Sequence, residues 1–438
     1  MSSALTDKWD WKPWKEQWIL YLFVFSAFVG SGISYGSIYL FHFAFLLALM
    51  NALVKMGSIK PLLNRTFFPV HLLYGLIFLV SILNDVNFSF LYYYGVSYGF
   101  FIVLLLYSNH IRDNIKSMVL FVGILVGLDM LIGGLEVLTD FRYPISNLSR
   151  LNYVFGRDHD FLATYDGCFN LRYATSCPTG FHWNPNNYGL VLLMSLPFTA
   201  FLENQLFRNL GRILLFLLIL ATGSRIGIYS AAFILVVLLF SEWREISLKS
   251  LIVILPLVFI FTDGFYFMPL HSYKIKEIAL VSKSQFVNEF PEHCKKKAKS
   301  NESRMALMRS GLDYWKTQAV FGRGAGSLTA HYEQQNKQSQ IIEGKSVTVS
   351  PHNFILELAV DFGLIVFLPI GWFLVCAFKA SRKLNSEQKL VFLLFGIAIG
   401  SGTIMLSSLV YFLPFYLFLF LVTIVLLASP KSKFEIVP

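Results

Sequence analysis

Charge is what this sequence has least of. Asp, Glu, Lys and Arg make up 14% of its 438 residues, against about 25% in a soluble globular domain. That shortfall excludes an ordinary water-soluble fold. Cysteine is also scarce, with four residues, and neither a CxxC nor a zinc-ligand spacing occurs among them, which argues against a thiolate metal site. No cleavable signal peptide is evident, because the opening "MSSALTDKWDWKPWKEQW" is polar and aromatic and no small-residue cleavage site follows it. No basic segment interleaved with aromatics lies outside the apolar runs, so nucleic acid is excluded as a partner.

Apolar runs take the place of charge. Hydrophobic residues reach 55%, aromatics 17%, and the mean hydropathy is +0.59. Stretches that can span a bilayer, ideally about 17–25 residues each, fall near 18–34, 36–56, 67–84, 89–107, 117–138, 186–203, 210–222, 225–241, 248–265, 353–378, 388–408 and 410–428. The expected architecture is an all-α polytopic membrane protein of about twelve transmembrane helices, the seventh of them short.

Lys and Arg set the orientation. Lys55, Lys60 and Arg65, Arg112 and Lys116, Arg208 and Arg212, Arg244 and Lys249, and Lys379, Arg382 and Lys383 all fall on one side, with both termini. The alternate turns, near Gly30–Gly36 and Asn84–Asn87, carry neither residue. The charged side is therefore cytoplasmic, and two long segments, about 140–185 and 266–352, face outward. The chain divides into an N-terminal bundle (1–265) with an outer loop at about 140–185, an extracytoplasmic loop carrying short helices (266–352), and C-terminal transmembrane helices (353–438).

The formal net charge of +10 is partly outside, in "EHCKKKAKSNESR" of the second outer loop. This stretch suits an anionic ligand or membrane surface, or is simply solvated. Cys168 and Cys177 share the first outer loop and are placed to close a disulfide in an oxidising compartment. "RDHD" at Arg157–Asp160 offers one His and two acids, a weak metal signal that reads better as a solvated loop.

Four segments on the outer side carry polar chemistry. "TGSRIGIYS" places Arg225 at a tight turn, where it either snorkels to headgroup phosphates or offers a fixed guanidinium to a bound phosphate. "NESRMALMRSGLDYWKTQAVFGRGAG" reads as a helix with Arg304 in its first turn and an apolar stripe of Met305, Met308, Leu312 and Trp315, suited to lying on the membrane surface. Its glycine-rich end holds Arg323 in a turn whose backbone can approach a ligand closely, and it lacks the Lys-Ser/Thr ending of a nucleotide-binding loop. "SPHNFILELAVDFGLIVF" puts His352 at a helix mouth, and a helix starting near Pro351 would align Asn353, Glu357 and Asp361 on one face. Carboxylates at membrane depth usually face a bundle interior or a watery cavity; Asp129 and Glu136 in the fifth span are two more, with no evident task. "CPTGFHWNPNNYG" ends in Asn184, Pro185, Asn186 and Asn187, a helix-starting turn whose amides and aromatics also suit sugar contacts. Arg172 upstream is a further candidate for an anionic group.

Taken together, these four segments resemble the O-antigen ligase and O-antigen polymerase superfamily. The match runs by motif from about 172 to 370: Gly-Phe-x-x-Asn-Pro-Asn, the Ser-Arg turn, a Ser-Arg segment followed by Gly-x-Gly-x-Gly, and His-Asn-x-x-Leu-Glu…Gly. The resemblance implies transfer of a glycan en bloc from a polyprenyl diphosphate, such as undecaprenyl diphosphate, to a sugar hydroxyl outside a bacterial inner membrane, on the periplasmic side, with no cofactor, nucleotide or obligatory metal. It implies catalytic roles for His352, Arg304 and Arg225, with the two arginines on the diphosphate, and substrate-binding roles for Asn353, Glu357, Asn186, Arg323 and Arg172. The acceptor is another lipid-linked repeat unit in a polymerase, or the lipid A–core sugar in a ligase; a chain-length regulator is a possible partner. The Asn-Pro-Asn element is more like the polymerases, while the basic outer segment suits a phosphorylated lipid A–core. A transporter or flippase is the weaker alternative, since no internal repeat is visible and the motifs crowd at the outer rim rather than the midplane.

The orientation is testable by labelling. In a variant with the native cysteines replaced by alanine, Gly344→Cys is expected to react with a membrane-impermeant maleimide in intact cells, and Asp113→Cys only after permeabilisation.

Overall fold

The structure, a computed structural model, describes residues 17–56, 62, 67–84, 88–139, 141–146, 149, 151–156, 177–202, 204–242, 300–343, 353–382, 384, 386–405, 409–410 and 412–427. These residues are almost wholly helical. In chain order the α-helices are α1 (Trp18–Val29), α2 (Leu40–Met56), α3 (Phe68–Leu83), α4 (Phe88–Leu106), α5 (Ser108–Asp113), α6 (Ile115–Leu138), α7 (Pro185–Ser195), α8 (Gln205–Thr222), α9 (Arg225–Glu242), α10 (Ser300–Lys316), α11 (Ser327–Glu343), α12 (Phe354–Phe362), α13 (Phe367–Ser381), α14 (Ser386–Met405) and α15 (Leu413–Leu427). One two-stranded hairpin, β1 (Ser34–Tyr35) and β2 (Ile38–Tyr39), pairs Ser34 with Tyr39 and Tyr35 with Ile38.

Five segments are long and apolar enough to cross a membrane: Phe88–Leu106, Ile115–Leu138, Gln205–Thr222, Leu364–Ser381 and Gln388–Met405. Trp18–Gly32, Leu40–Val54, Phe68–Leu83, Ile226–Ser241 and Leu413–Ile424 are shorter apolar helices. The membrane character expected from composition is therefore present, and the expected count of twelve spans is not reached among the described residues; the run near 248–265 lies outside them.

Three runs differ from their expected form. The seventh span, short as an uninterrupted apolar run, is the 18-residue α8. Asn204 caps it, accepting from the backbone N–H of Leu206 at 2.9 Å, and the helix absorbs Arg208 and Arg212 by burying both. The Nε of Arg212 donates to Thr199 Oγ1 at 3.1 Å. The run at 186–203 is α7 followed by a 3-10 turn over Leu196–Phe201, where Pro197 removes a helix donor. The run at 353–378 breaks at Gly363 into α12, a 3-10 turn (Leu364–Val366) and α13.

Large apolar side chains occupy both inside and outside. Phe23, Phe28, Phe41, Phe100, Phe395 and Phe418 are fully buried between helices, while Leu46, Met50, Leu214, Leu217, Leu368 and Leu374 lie exposed on the bundle's exterior. An apolar exterior is what hydrocarbon solvent allows and water does not. A smaller cluster of Leu328, Tyr332, Leu356 and Val360 joins α10, α11 and α12, with Leu307, Met308, Tyr314 and Trp315 packed on it. On α10, Met308 and Trp315 of the expected stripe pack with Leu307 on α11 and α12, and the side that packs runs through Gly311, leaving Leu312 exposed. Gly311 decides the rotation: its missing side chain makes room for the Tyr332 hydroxyl and Leu356.

The α10–α11 pair is held to α12 by a clasp of two backbone turns. Arg323 and Gly324 donate their N–H groups to the Asp361 carbonyl at 3.0 and 2.7 Å; Leu364 and Ile365 donate to the carbonyls of Ala319 and Val320 at 2.9 and 3.2 Å. Gly322 and Gly363 meet where the turns cross. Both have positive φ, 69° and 71°, and a Cβ on Gly363 would stand 2.2 Å from the Val320 carbonyl oxygen. No other residue type satisfies both the dihedral and the approach.

The Asp361 side chain completes the clasp. It is fully buried and accepts from the N–H of Gly326 at 2.7 Å, the Ser327 hydroxyl at 2.8 Å and the N–H of Leu328 at 3.0 Å. It caps the start of α11 from another helix, satisfying N–H groups that have no partner within α11. Asp361→Ala leaves these donors buried and unpaired and is expected to lower stability by at least about 3 kcal/mol. Gly363→Ala is expected to cost more than about 2 kcal/mol through strain and overlap. Thermal unfolding of the detergent-purified variants, with proteolysis of α10–α11 as a local probe, checks both.

Candidate active site

Glu136 and Asp129, both buried on α6, fix the segment that leads into α7. Glu136 accepts from the N–H of Tyr143 at 2.9 Å, of Gly180 at 2.9 Å and of Thr179. Asp129 accepts from the N–H of Phe181 at 2.8 Å and pairs with His182 Nε2 at 3.1 Å. Gly180, with φ 54°, allows this approach: a Cβ there would lie 2.2 Å from Asp129 Oδ1. Asn184 then caps α7, its side chain accepting from the Asn187 N–H at 2.9 Å, and Pro185 occupies the first turn, where a missing N–H costs nothing.

A cavity of about 460 Å³ opens beside this segment. One wall carries His182, Trp183, Asn184 and Asn187; another carries Tyr92 and Tyr93 of α4; Thr329 of α11 and Glu357 of α12 face them. Tyr39 and His42 close the side toward the hairpin. Aromatic faces, amides, a carboxylate and imidazoles are the groups that bind a carbohydrate, which has apolar ring faces and hydroxyls that both donate and accept. Both nitrogens of His42 are engaged: Nδ1 with the Tyr39 N–H at 3.0 Å, and Nε2 with the Tyr92 hydroxyl at 3.0 Å.

The expected site residues are brought together in part. Glu357, buried on α12, lines the cavity. Asn353 is the cap of α12, accepting from the Leu356 N–H at 3.0 Å; the helix begins at Phe354, so Asn353 stands ahead of it rather than on a shared helical face. Glu357 and Asp361 also part company, one to the cavity and the other to the clasp. Asn186 is partly exposed in the first turn of α7, and its neighbours Asn184 and Asn187 are the ones on the cavity wall. Arg225 is the first residue of α9, after a turn whose Thr222 packs on Gly189 of α7. Arg304 lies in the first turns of α10. His352 and Arg172 lie outside the described residues, as do Cys168 of the expected disulfide and the "RDHD" segment; Cys177 is buried.

Arg323 is built into the α10–α11 pair. Its guanidinium lies 4.3 Å from the centre of the Tyr314 ring and donates to Thr317 Oγ1, and the far face of Tyr314 stacks on His331 with centroids 4.0 Å apart. The residues that sequence reasoning left without a role were His182, Asp129 and Glu136. Their signal was present as two acids in a span and a His between Phe181 and Trp183, but pairing across 53 positions is not visible in spacing.

These features define a helical membrane protein with a polar cavity among its helix ends and the α10–α11 pair clasped beside it. Residues 210–371 match the model of a family described as O-antigen ligase, and the match supports the resemblance to the O-antigen ligase and polymerase superfamily. Comparison with curated proteins gives no match. The matched segment runs from α8 into α13 and contains Arg225, Arg304, Arg323, His352, Asn353, Glu357 and both turns of the clasp.

Burial and the nearby Arg323 charge hold the His331 imidazole below its ordinary value of 6.5. The folded state thus binds this proton less readily than the unfolded chain does. The pair carries no penalty above that ordinary value and is destabilised as pH falls below it. Acidification from about pH 7.5 to about pH 5 is expected to loosen α10–α11, and Arg323→Ala to raise the His331 value, as read from histidine-labelled NMR spectra.

Proposed function

We propose that the protein is a membrane glycosyltransferase that moves a polyprenyl-diphosphate-linked glycan en bloc to a sugar hydroxyl at the periplasmic face of a bacterial inner membrane. The observation that carries this reading is the family match over 210–371, coincident with a carbohydrate-compatible cavity walled by Glu357 of the matched segment. The acceptor oxygen attacks the anomeric carbon, and the bond from that carbon to the diphosphate breaks with its electron pair leaving on the diphosphate. Arg225 and Arg304 stabilise the charge that develops there. Removal of one such donor typically lowers the rate about a hundred- to a thousandfold. His352 serves the acceptor hydroxyl or the leaving group, Glu357 and Asn353 order the mouth of α12, and Asn186, Arg323 and Arg172 contribute to substrate binding.

The polymerase form, with a second lipid-linked repeat unit as acceptor, is the preferred reading, on the Asn-Pro-Asn element at α7. The ligase form, with lipid A–core as acceptor, is favoured by the basic stretch "EHCKKKAKSNESR" and by the description of the matched family. Deletion of the gene separates them. Lipid A–core capped by one repeat unit identifies a polymerase; bare core with accumulated lipid-linked chains identifies a ligase. Complementation is expected from the wild type and not from His352→Ala. An unchanged surface-polysaccharide ladder would falsify the glycosyl-transfer reading.

A further inference from the structure

His42, in the wall of the cavity, makes one hydrogen bond more than its place in the chain requires. It lies in the first turn of α2, and its Nδ1 accepts from the backbone N–H of Tyr39, just ahead of the helix, at 3.0 Å. That is the return half of a capping box, which Glu or Gln normally supplies at this position. A cap uses one nitrogen. The other, Nε2, lies 3.0 Å from the hydroxyl of Tyr92, fifty positions away on α4.

The cap fixes the direction of the second bond. A backbone N–H can only donate, so Nδ1 is unprotonated and the ring carries its one proton on Nε2. Nε2–H therefore donates to the Tyr92 oxygen, and the phenolic proton is left for a bound molecule. Accepting from the imidazole also strengthens that hydroxyl as a donor. The neighbouring rings order the pair: Tyr39 stacks on His42 with centroids 5.2 Å apart, and Tyr93 meets Tyr92 edge to face at 5.5 Å. Tyr92 itself is 53% exposed, on the cavity wall. A half-exposed ring with an aimed donor suits a sugar, which offers an apolar C–H face to the ring and oxygens to the hydroxyl.

We propose that Tyr92 is a substrate-binding residue, donating its hydroxyl to an oxygen of a pyranose seated on its ring, and that His42 is the positioning residue that aims it; this rests on the glycosyl-transfer reading. The sugar belongs to the lipid-linked glycan or to the lipid A–core, and its chemistry is the same in both. Tyr92 takes no part in the bond exchange, so its loss falls on KM.

Full-length variants in nanodiscs are assayed for transfer of the lipid-linked glycan extracted from the deletion strain, with its concentration and that of lipid A–core varied in turn. The substrate whose KM rises is the one whose sugar lies on Tyr92. Tyr92→Phe keeps the ring and removes the hydroxyl. Its KM is expected to rise about three- to tenfold, the loss of one neutral hydrogen bond, with kcat and melting temperature close to wild type. His42→Gln and His42→Glu both keep an acceptor for the Tyr39 N–H, but only Gln can donate to Tyr92. A carboxylate takes the phenolic proton instead and withdraws it from the sugar. His42→Glu is thus expected to raise KM as Tyr92→Phe does, and His42→Gln to stay within about twofold of wild type. Combining His42→Glu with Tyr92→Phe should be no worse than Tyr92→Phe alone, because both act through one hydroxyl.

A Tyr92→Phe protein with wild-type KM for both substrates overturns the assignment of Tyr92. Equal KM values for His42→Gln and His42→Glu overturn the positioning by His42 and reduce it to a cap. Should Tyr92→Phe melt early, the contrast between Gln and Glu at His42 decides in its place. A wild type that transfers no glycan overturns the glycosyl-transfer reading and the subsite with it. A transferring wild type beside an unaffected Tyr92→Phe overturns the subsite alone.

Discussion

Backbone N–H groups of the connecting segments end on carboxylates carried by the helices, and the rest of the molecule is arranged around that constraint. Asp361 takes the start of α11, Glu136 takes Tyr143, Thr179 and Gly180, and Asp129 takes Phe181. A buried carboxylate in a helix that crosses hydrocarbon is costly when isolated. Here each one accepts several donors at once, and those donors belong to loops that cannot form internal ladders of their own. The acids and the loops therefore satisfy each other. What results is a rigid rim of irregular backbone around a cavity, placed where irregular backbone is tolerated because protein covers it.

Rigidity of this rim matters for the chemistry proposed. Transfer of a sugar from a diphosphate depends on holding a hydroxyl, an anomeric carbon and a leaving group in line, and small misplacements are expensive. Loops alone hold side chains poorly. Glu357 gains a fixed position from α12, which is clasped at its far end by Gly363 and capped at its near end by Asn353. His182 gains one from Asp129, and Asn184 and Asn187 from the first turn of α7.

Much of this was legible in the sequence, and the limits have physical causes. Apolar runs gave the helices of the bundle because hydrocarbon demands them. Asn184 and Pro185 announced the start of α7, since capping is local chemistry. Glu357, singled out as an acid in an apolar run, lies on the cavity wall. Breaks at Pro197 and Gly363 were underread, because hydropathy continues across them while the backbone does not. The packing of α10 on α11 and α12 was not legible for a related reason: an apolar stripe does not name its partner, and Gly311 turns the helix toward Tyr332. The tasks of Asp361 and Asp129 were out of reach, because their partners lie 33 or more positions away.

The attachment of residues 179–182 to α6 also imposes an order on synthesis. Asp129 and Glu136 leave the ribosome some forty to fifty residues before the Gly180 and Phe181 amides that will cover them, with only the Tyr143 amide reaching Glu136 sooner. At about 5–20 residues per second, α6 therefore waits for seconds with two exposed acids. Its entry into the bilayer and the arrival of the α7 segment become a single commitment, in which neither piece is stable until both are present. Assembly defects from changes in "CPTGFHW" should then surface as faulty insertion of α6, far upstream in the chain from the altered residue.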